Sequence, residues 1–332
     1  MNSLTKTFTI IAILLLIFEF TLGIRTQGVE ILRIDNKNKT IIVDINGKGD
    51  FISIQEAINS APPGSTIYIK NGKYSEIIDI KKQINIIGED NEKTIINPIS
   101  NENKCAIKVR SKEITIKNLS ITNQGPGIYT AGIHVLASKT NIQNCNFYNN
   151  PIGIVIWTSN NIVSNSNFWG CSDEGIALIG TSNLQCSNNK ITNCEFYDNC
   201  DGIELQYSSN NTITGCLFYN NTHTGIDAIT SSNNRNIISN CNINNNKVHG
   251  IYLSSSSENQ IINCDISNNK DGNIIQRKNC YNNVIKTNTN FENRIKLYIK
   301  EKLMNLINFF ENKFLNRDLF NDFSYFINLH FV

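Results

Sequence analysis

Three features of the sequence predict an all-β solenoid, a parallel β-helix. A glycine-anchored motif recurs every 21 to 27 residues, a cysteine-bearing motif precedes it in most units, and the apolar residues alternate with period two rather than 3.6. The glycine motif reads GIHVL from Gly132, GIVIW from Gly153, GIALI from Gly175, GIELQ from Gly202, GIDAI from Gly225 and GIYLS from Gly250, with a weaker GNIIQ from Gly272. The second column places Cys145, Cys194, Cys216, Cys241 and Cys264 at one position, with Ser166 as the substitute. A third column is a turn carrying Asn160, Asn183, Asn210, Asn233, Asn259 and Asn282. No such unit buries its apolar face alone. Stacking at about 4.8 Å per coil lets equivalent residues pile into a continuous core.

Each column then has an expected cause. Small Cys or Ser fits inside a crowded stack, Asn tolerates positive φ in turns, and Gly permits a corner before the next strand. In ITNCEF, alternation puts Ile191, Asn193 and Glu195 on one side and Thr192, Cys194 and Phe196 on the other. Phe147, Phe168, Phe196 and Phe218 form an expected inward stack. The stacked cysteines are expected as free buried thiols, because parallel side chains do not aim at one another. Cys105, Cys171, Cys186, Cys200 and Cys280 lie off this column and stay unassigned. The absence of any Cys-x-x-Cys pair argues against zinc.

The ends differ from the coils. Lys6, the apolar run Phe8–Phe18 and small residues near Gly23 predict an export signal over residues 1–23, hence a secreted or cell-surface protein. Residues 24–290 read as the β-helix with its N-terminal cap. In that cap Ser53 and Glu56 have capping-box spacing, Phe51, Ile54, Ala57, Ile58 and Ala61 share a helical face, and Pro62-Pro63 ends it. Strands are expected at STIYI, EIIDI, INIIG and KTIINP. Residues 291–332 read as a C-terminal amphipathic helix or cap, with Ile295, Ile299, Leu303, Leu306, Phe310 and Phe314 on one face. Either terminal segment offers a membrane contact. A formal net charge of +2 provides no strong field for nucleic acid.

Candidate chemistry lies on the glycine-motif strand. The alignment sets Glu204 over Ala177 and under Asp227, then Tyr252, with His134 earlier in the same column. Asp201 lies over Glu174 and under Thr224, then His249. Glu174, Asp201, Glu204, His223, Asp227, His249 and Tyr252 should share one solvent-facing surface. Carboxylates stacked about 5 Å apart repel, and one is pushed toward holding its proton, which gives an acid and a base. Asp201, Glu204 and Asp227 are the candidate catalytic residues, and Glu174, His223, His249, Tyr252 and His134 the candidate substrate contacts. No cofactor is required; calcium on the same oxygens is the alternative use. Trp157, Trp169, Tyr148, Tyr197, Tyr207 and Tyr219 are candidates for stacking on sugars.

The opening GKGDFISIQEAI…GKYSE resembles that of pectin methylesterases of the pectin-lyase-like superfamily, and the later coils are similar to NosD-like and carbohydrate-binding/sugar-hydrolysis repeats. The resemblance spans roughly Val43 to Val284 and implies a single-stranded right-handed parallel β-helix with an N-terminal capping helix. CDGIEL and VHGIYLSS resemble two strands of polygalacturonases. The paired Asp of that family's intervening strand would fall near His223-Thr224, and its basic strand has only IIQRK, with Arg277 displaced. The esterase pattern lacks QDTL-like and DFIFG-like segments, and no epimerase-type D-P-H-D occurs. The expected function is binding of polysaccharide or cell-surface glycan; the alternatives are a polysaccharide-degrading enzyme using the stacked carboxylates, and a structural surface protein.

Overall fold

The computed structural model describes residues 39–98, 104–125, 130–229 and 232–287. The expected export signal and C-terminal helix lie outside the described residues. Within them the chain winds as a parallel solenoid of three long sheets, with a two-stranded pair, Cys186–Ser187 and Ser208–Ser209, beside them, and the inner coils contribute one strand to each long sheet in turn. The first sheet has eleven strands, from Thr40–Val43 to Val284–Lys286. The second has nine, from Gly72–Tyr74 to Asp265–Ser267, and the third nine, from Ile78–Ile80 to Gly272–Gln276.

Pairing is in register between like residues. Ile191 lies between Val163 and Ile213, Phe196 between Phe168 and Phe218, and Ile203 between Ile176 and Ile226. The four phenylalanines stack at 4.8 Å between successive ring centroids, and all are fully buried. The cysteine column is buried beside them, and all ten cysteines are free thiols.

The corners correct the simplest strand reading. ITNCEF is two short strands, Lys190–Thr192 and Glu195–Tyr197, broken at Asn193, whose φ is 53°. The left-handed residue resets the alternation, so Ile191, Cys194 and Phe196 all point inward. Asn118, Asn144, Asn165, Asn240 and Asn263 turn the same corner in other coils, and Gly215 does so with φ 65°.

The asparagine column also sits differently from expectation. Asn160, Asn210 and Asn282 take positive φ, while Asn183 lies on an exposed loop. The buried ladder passes through Asn259 as expected, falls one residue later at Asn211 and Asn283, and elsewhere uses Asn189 and Asn236. Asn189 donates its backbone N–H to Asn211 Oδ1 (2.8 Å), Asn211 to Asn236 (2.9 Å), Asn236 to Asn259 (2.8 Å) and Asn259 to Asn283 (2.8 Å). A second ladder at the next corner runs through Asn199, Asn221, Asn246 and Asn269. Each amide satisfies backbone groups that the turn removes from the sheets.

The glycine column has a steric cause rather than a conformational one: Gly132, Gly153, Gly175, Gly202, Gly225 and Gly250 are absent from the positive-φ residues. A Cβ on Gly202 would lie 2.5 Å from the Gly225 carbonyl oxygen and 2.6 Å from the Phe218 ring. The motif marks where the third sheet passes closest to the next coil and to the phenylalanine stack.

At the N-terminal end the helix Ile54–Ser60 covers the first coils with Ile54, Ala57 and Ile58. Ser53 accepts from the Glu56 N–H as expected, and Glu76 of the GKYSE segment adds a second cap. Its carboxylate accepts from Ser53 Oγ (2.6 Å), Ile54 N (2.8 Å) and Gln55 N (3.0 Å). Among the described residues no helix is long and apolar enough to cross a membrane.

The close approach at the glycine column gives a direct test. Gly202→Ala should destabilise the coil by about 1–3 kcal/mol through overpacking. Urea unfolding that leaves the midpoint unchanged would contradict the proposed contact.

Candidate active site

The third sheet carries most of the candidate residues on its outer face, and its two longest strands, Glu174–Ile179 and Asp201–Gln206, six residues each, carry Glu174, Asp201 and Glu204. The predicted register is observed. Glu174 pairs with Asp201, Ala177 with Glu204, Glu204 with Asp227, and Asp227 with Tyr252.

The expected solvent exposure is not observed. Glu174, Asp201 and Asp227 are each 5% exposed and Glu204 8%. Outward side chains on neighbouring coils shield one another above and below, so alternation gives their side of the sheet but not their depth.

The cluster has an internal logic. Asp201 Oδ1 accepts from the Thr224 backbone N–H (2.7 Å) and contacts His223 Nδ1 at 2.8 Å. His223 Nδ1 also lies 3.9 Å from Asp227 Oδ2. Glu204 accepts from Gln206 Nε2. Asp227 Oδ1 and Glu174 Oε2 are buried without a hydrogen-bond partner.

Burial drives the protonation of all four acids upward. Glu174 is pushed to about 10 by burial, then by the charges of Glu204 and Asp173. Asp227 is raised to about 7 by burial and by Asp201, with His223 pulling the other way. Glu204 is raised by burial against the Gln206 hydrogen bond. Asp201 is raised by burial, while His223 and the Thr224 amide favour its ionised form. Neighbouring acids with opposed environments can divide proton donor and acceptor roles between them.

Above this cluster, His249 stacks on Tyr252 with centroids 5.4 Å apart, and the Arg277 guanidinium lies 5.9 Å from the Tyr252 ring centroid. Burial lowers the pKa of His249, with His223 adding to the effect.

His134 does not join the group. It pairs with Val155, which pairs with Ala177, so three rungs separate it from Glu204, about 14 Å. The outer aromatics Tyr148, Trp169, Tyr197 and Tyr219 stack face to face at 5.1 to 5.8 Å. Their inner faces are taken by one another, which removes Trp169 and Tyr197 as sugar platforms. Gln206 escaped the sequence reading, although its place two residues beyond Glu204 puts it on the same side of the strand.

Asp201, His223 and Asp227 each offer a ligand atom, all within 4.8 Å of one another. Two carboxylates and one imidazole suit a divalent transition ion better than calcium, which takes six or more oxygens.

The chain belongs to the right handed beta helix region family, whose profile matches residues 82–234 and 190–320. It is similar to probable pectinesterase 67 of Arabidopsis thaliana, 31% identical over 129 residues, covering 33% of this chain and 38% of that one. A pectinesterase of Petunia integrifolia is 31% identical over 131 residues, 35% of each chain. The chain thus spans about a third of the length of these relatives. Among solved structures it resembles the carrot pectin methylesterase (TM-score 0.51, 14% identity, 75% of this chain and 88% of that one). It also resembles pectate lyase Pel9A (TM-score 0.52, 15% identity, 76% and 78%). These two structures show the fold.

Glu174 supplies a test of site electrostatics. Its pKa in the folded protein, about 10, exceeds the ordinary value of 4.5. Its contribution to stability is therefore full below about 4.5 and is lost as pH rises toward about 10. Thermal melts of wild type should fall over that window, and Glu174→Gln should flatten the fall. Parallel profiles for the two proteins would refute a buried, protonated Glu174.

Proposed function

We propose that the protein is a polysaccharide hydrolase that acts outside the cytoplasm, along the outer face of its third sheet. One observation carries this reading: four carboxylates from neighbouring coils are buried together, and Asp227 and Glu174 each keep one oxygen without a partner. A site that only held sugar hydroxyls would gain from ionised, hydrated carboxylates. Burying unpartnered ones costs a few kcal/mol each, and such costs cluster where proton transfer is needed.

Asp227 is the general acid, since a pKa of about 7 lets it hold a proton at neutral pH and release it to a leaving oxygen. Asp201 is the ionised partner, held by His223 and the Thr224 amide. Glu204 adds to the upward pull on Asp227 through its charge, and Tyr252 with His249 offers a surface beside them for the sugar. The pectinesterase relatives support carbohydrate as the substrate class, and the extracellular setting agrees with the expected export signal. Hydrolysis is preferred over elimination because Asp227 supplies the proton donor that a leaving glycosidic oxygen needs, while the Arg277 guanidinium lies over the Tyr252 ring.

The purified protein should release new reducing ends from a panel of neutral and acidic polysaccharides. Asp227→Asn should lose on the order of 10²–10⁴-fold in kcat. The wild-type rate should fall as pH rises through about 7, where Asp227 ionises. Retardation on polysaccharide gels without product would favour the binding-only alternative. Unsaturated uronates detected by absorbance would show a lyase instead.

A further inference from the structure

The outer column of the third sheet extends beyond the acidic cluster. From Glu204 it descends through Ala177, Val155 and His134 to Lys108. At the Lys108 end lies a pocket of about 380 Å³ lined by Lys104, Lys108, Arg110, His134, Trp157 and Asp79, among others. Three cationic side chains there face one carboxylate, and Arg110 Nε is 3.0 Å from that Asp79. Trp157 is 40% exposed, and its ring meets His134 edge-on, with centroids 5.4 Å apart and 68° between planes. His134 Nε2 is buried with no hydrogen-bond partner.

Arg110 pairs with Asp79, which also neighbours Lys108 in the column, but the exposed indole and the unpartnered His134 nitrogen have no such task. An exposed indole beside lysine and arginine gives up apolar burial and gathers like charges. It suits a ligand with an apolar ring face and an anionic substituent. Between this pocket and the acidic cluster the column is smooth: Val155 is 5% exposed and Ala177 1%. The four rungs from Lys108 to Glu204 span about 19 Å, the reach of a short oligosaccharide lying along the solenoid axis.

We infer that the Lys108/Arg110/His134/Trp157 pocket is a subsite for an acidic sugar unit, the indole against the ring and the two cations on its carboxylate or sulfate. The substrate class is therefore an anionic polysaccharide. Its distant unit is anchored here while another unit sits at the carboxylates. The inference rests on the hydrolase reading for the direction in which the chain is laid, but not for the pocket itself.

Titration calorimetry on full-length Asp227→Asn separates the two. The probes are uronic-acid hexasaccharides, sulfated hexasaccharides and neutral xylan-derived hexasaccharides. An acidic probe should bind at least about tenfold more tightly than the neutral one, and its affinity should fall with added salt. Preference between the first two probes identifies carboxylate or sulfate as the anion. Adding Lys108→Glu should weaken the acidic probe at least about tenfold and leave the neutral one unchanged. Trp157→Ala should weaken every probe that binds.

Equal binding of acidic and neutral probes would overturn the inference, as would salt-independent binding or no binding of any. The salt series needs no substitution in the pocket, so misfolding of the Lys108 or Trp157 variant cannot mimic its result. Binding with this charge dependence, combined with no cleavage by wild type, would keep the subsite and remove the hydrolase reading.

Discussion

Every feature of this chain depends on one constraint: like residues must stack on like, coil upon coil. Inside the solenoid a side chain has its counterparts directly above and below. The Phe147–Phe218 stack, with nearly parallel rings at 4.8 Å, has no room for a different shape. The glycines follow from the same closeness, since a Cβ at Gly175 would lie 2.7 Å from the Phe196 ring. Corners are where a stack of strands would otherwise fail, because the backbone there leaves the ladder. The solution repeats at two corners of the later coils. A residue in the left-handed region turns the chain, and an inward Asn just after it bonds the coil beyond. The asparagine-rich composition thus has a structural use in these coils.

The outer face inherits the geometry without the shape restriction. Neighbouring coils still hold side chains about 4.8 Å apart, but those side chains need not match. Acids gather on the two longest strands of the third sheet, where pairing over five residue positions holds Glu174 against Asp201 and Ala177 against Glu204. Such pairing fixes backbone positions more firmly than loops would. Burial, joined by the repulsion between stacked carboxylates, is then expressed as retained protons.

Counting along the repeat made much of this legible. Each glycine motif gave the third-sheet register, so Glu204, Asp227 and Tyr252 could be aligned before any coordinates. Three things were not legible. Alternation states which side a residue occupies but not how deeply its neighbours cover it, so Glu204 at 8% exposure read as surface. The period-two rule also assumes an unbroken strand, and Asn193 breaks it. Finally, the column could not be followed down to Lys108, because that coil has Ala106 where later coils have Gly. CAIKVR nevertheless carries the same pattern, Ile107 and Val109 inward with Lys108 outward, and it pairs with Ile133, Val135 and His134.

That last coil changes how the column should be understood. The column opens on an opposite-charge pair, Asp79 beside Lys108, and runs through the neutral Val155 and Ala177 to acidic at Glu204 and Asp227, then aromatic at Tyr252. A solenoid that only had to stay soluble would gain by interspersing charges. At its acidic end this column instead sets Glu204 against Asp227, where burial and neighbouring charge together raise the Asp227 pKa. The arrangement is favourable once a linear molecule lies along the column and meets each zone with a different part of itself. The same stacking that forces uniformity on the core therefore allows a graded outer surface, and the gradient, rather than any single residue, marks this sheet as the working face.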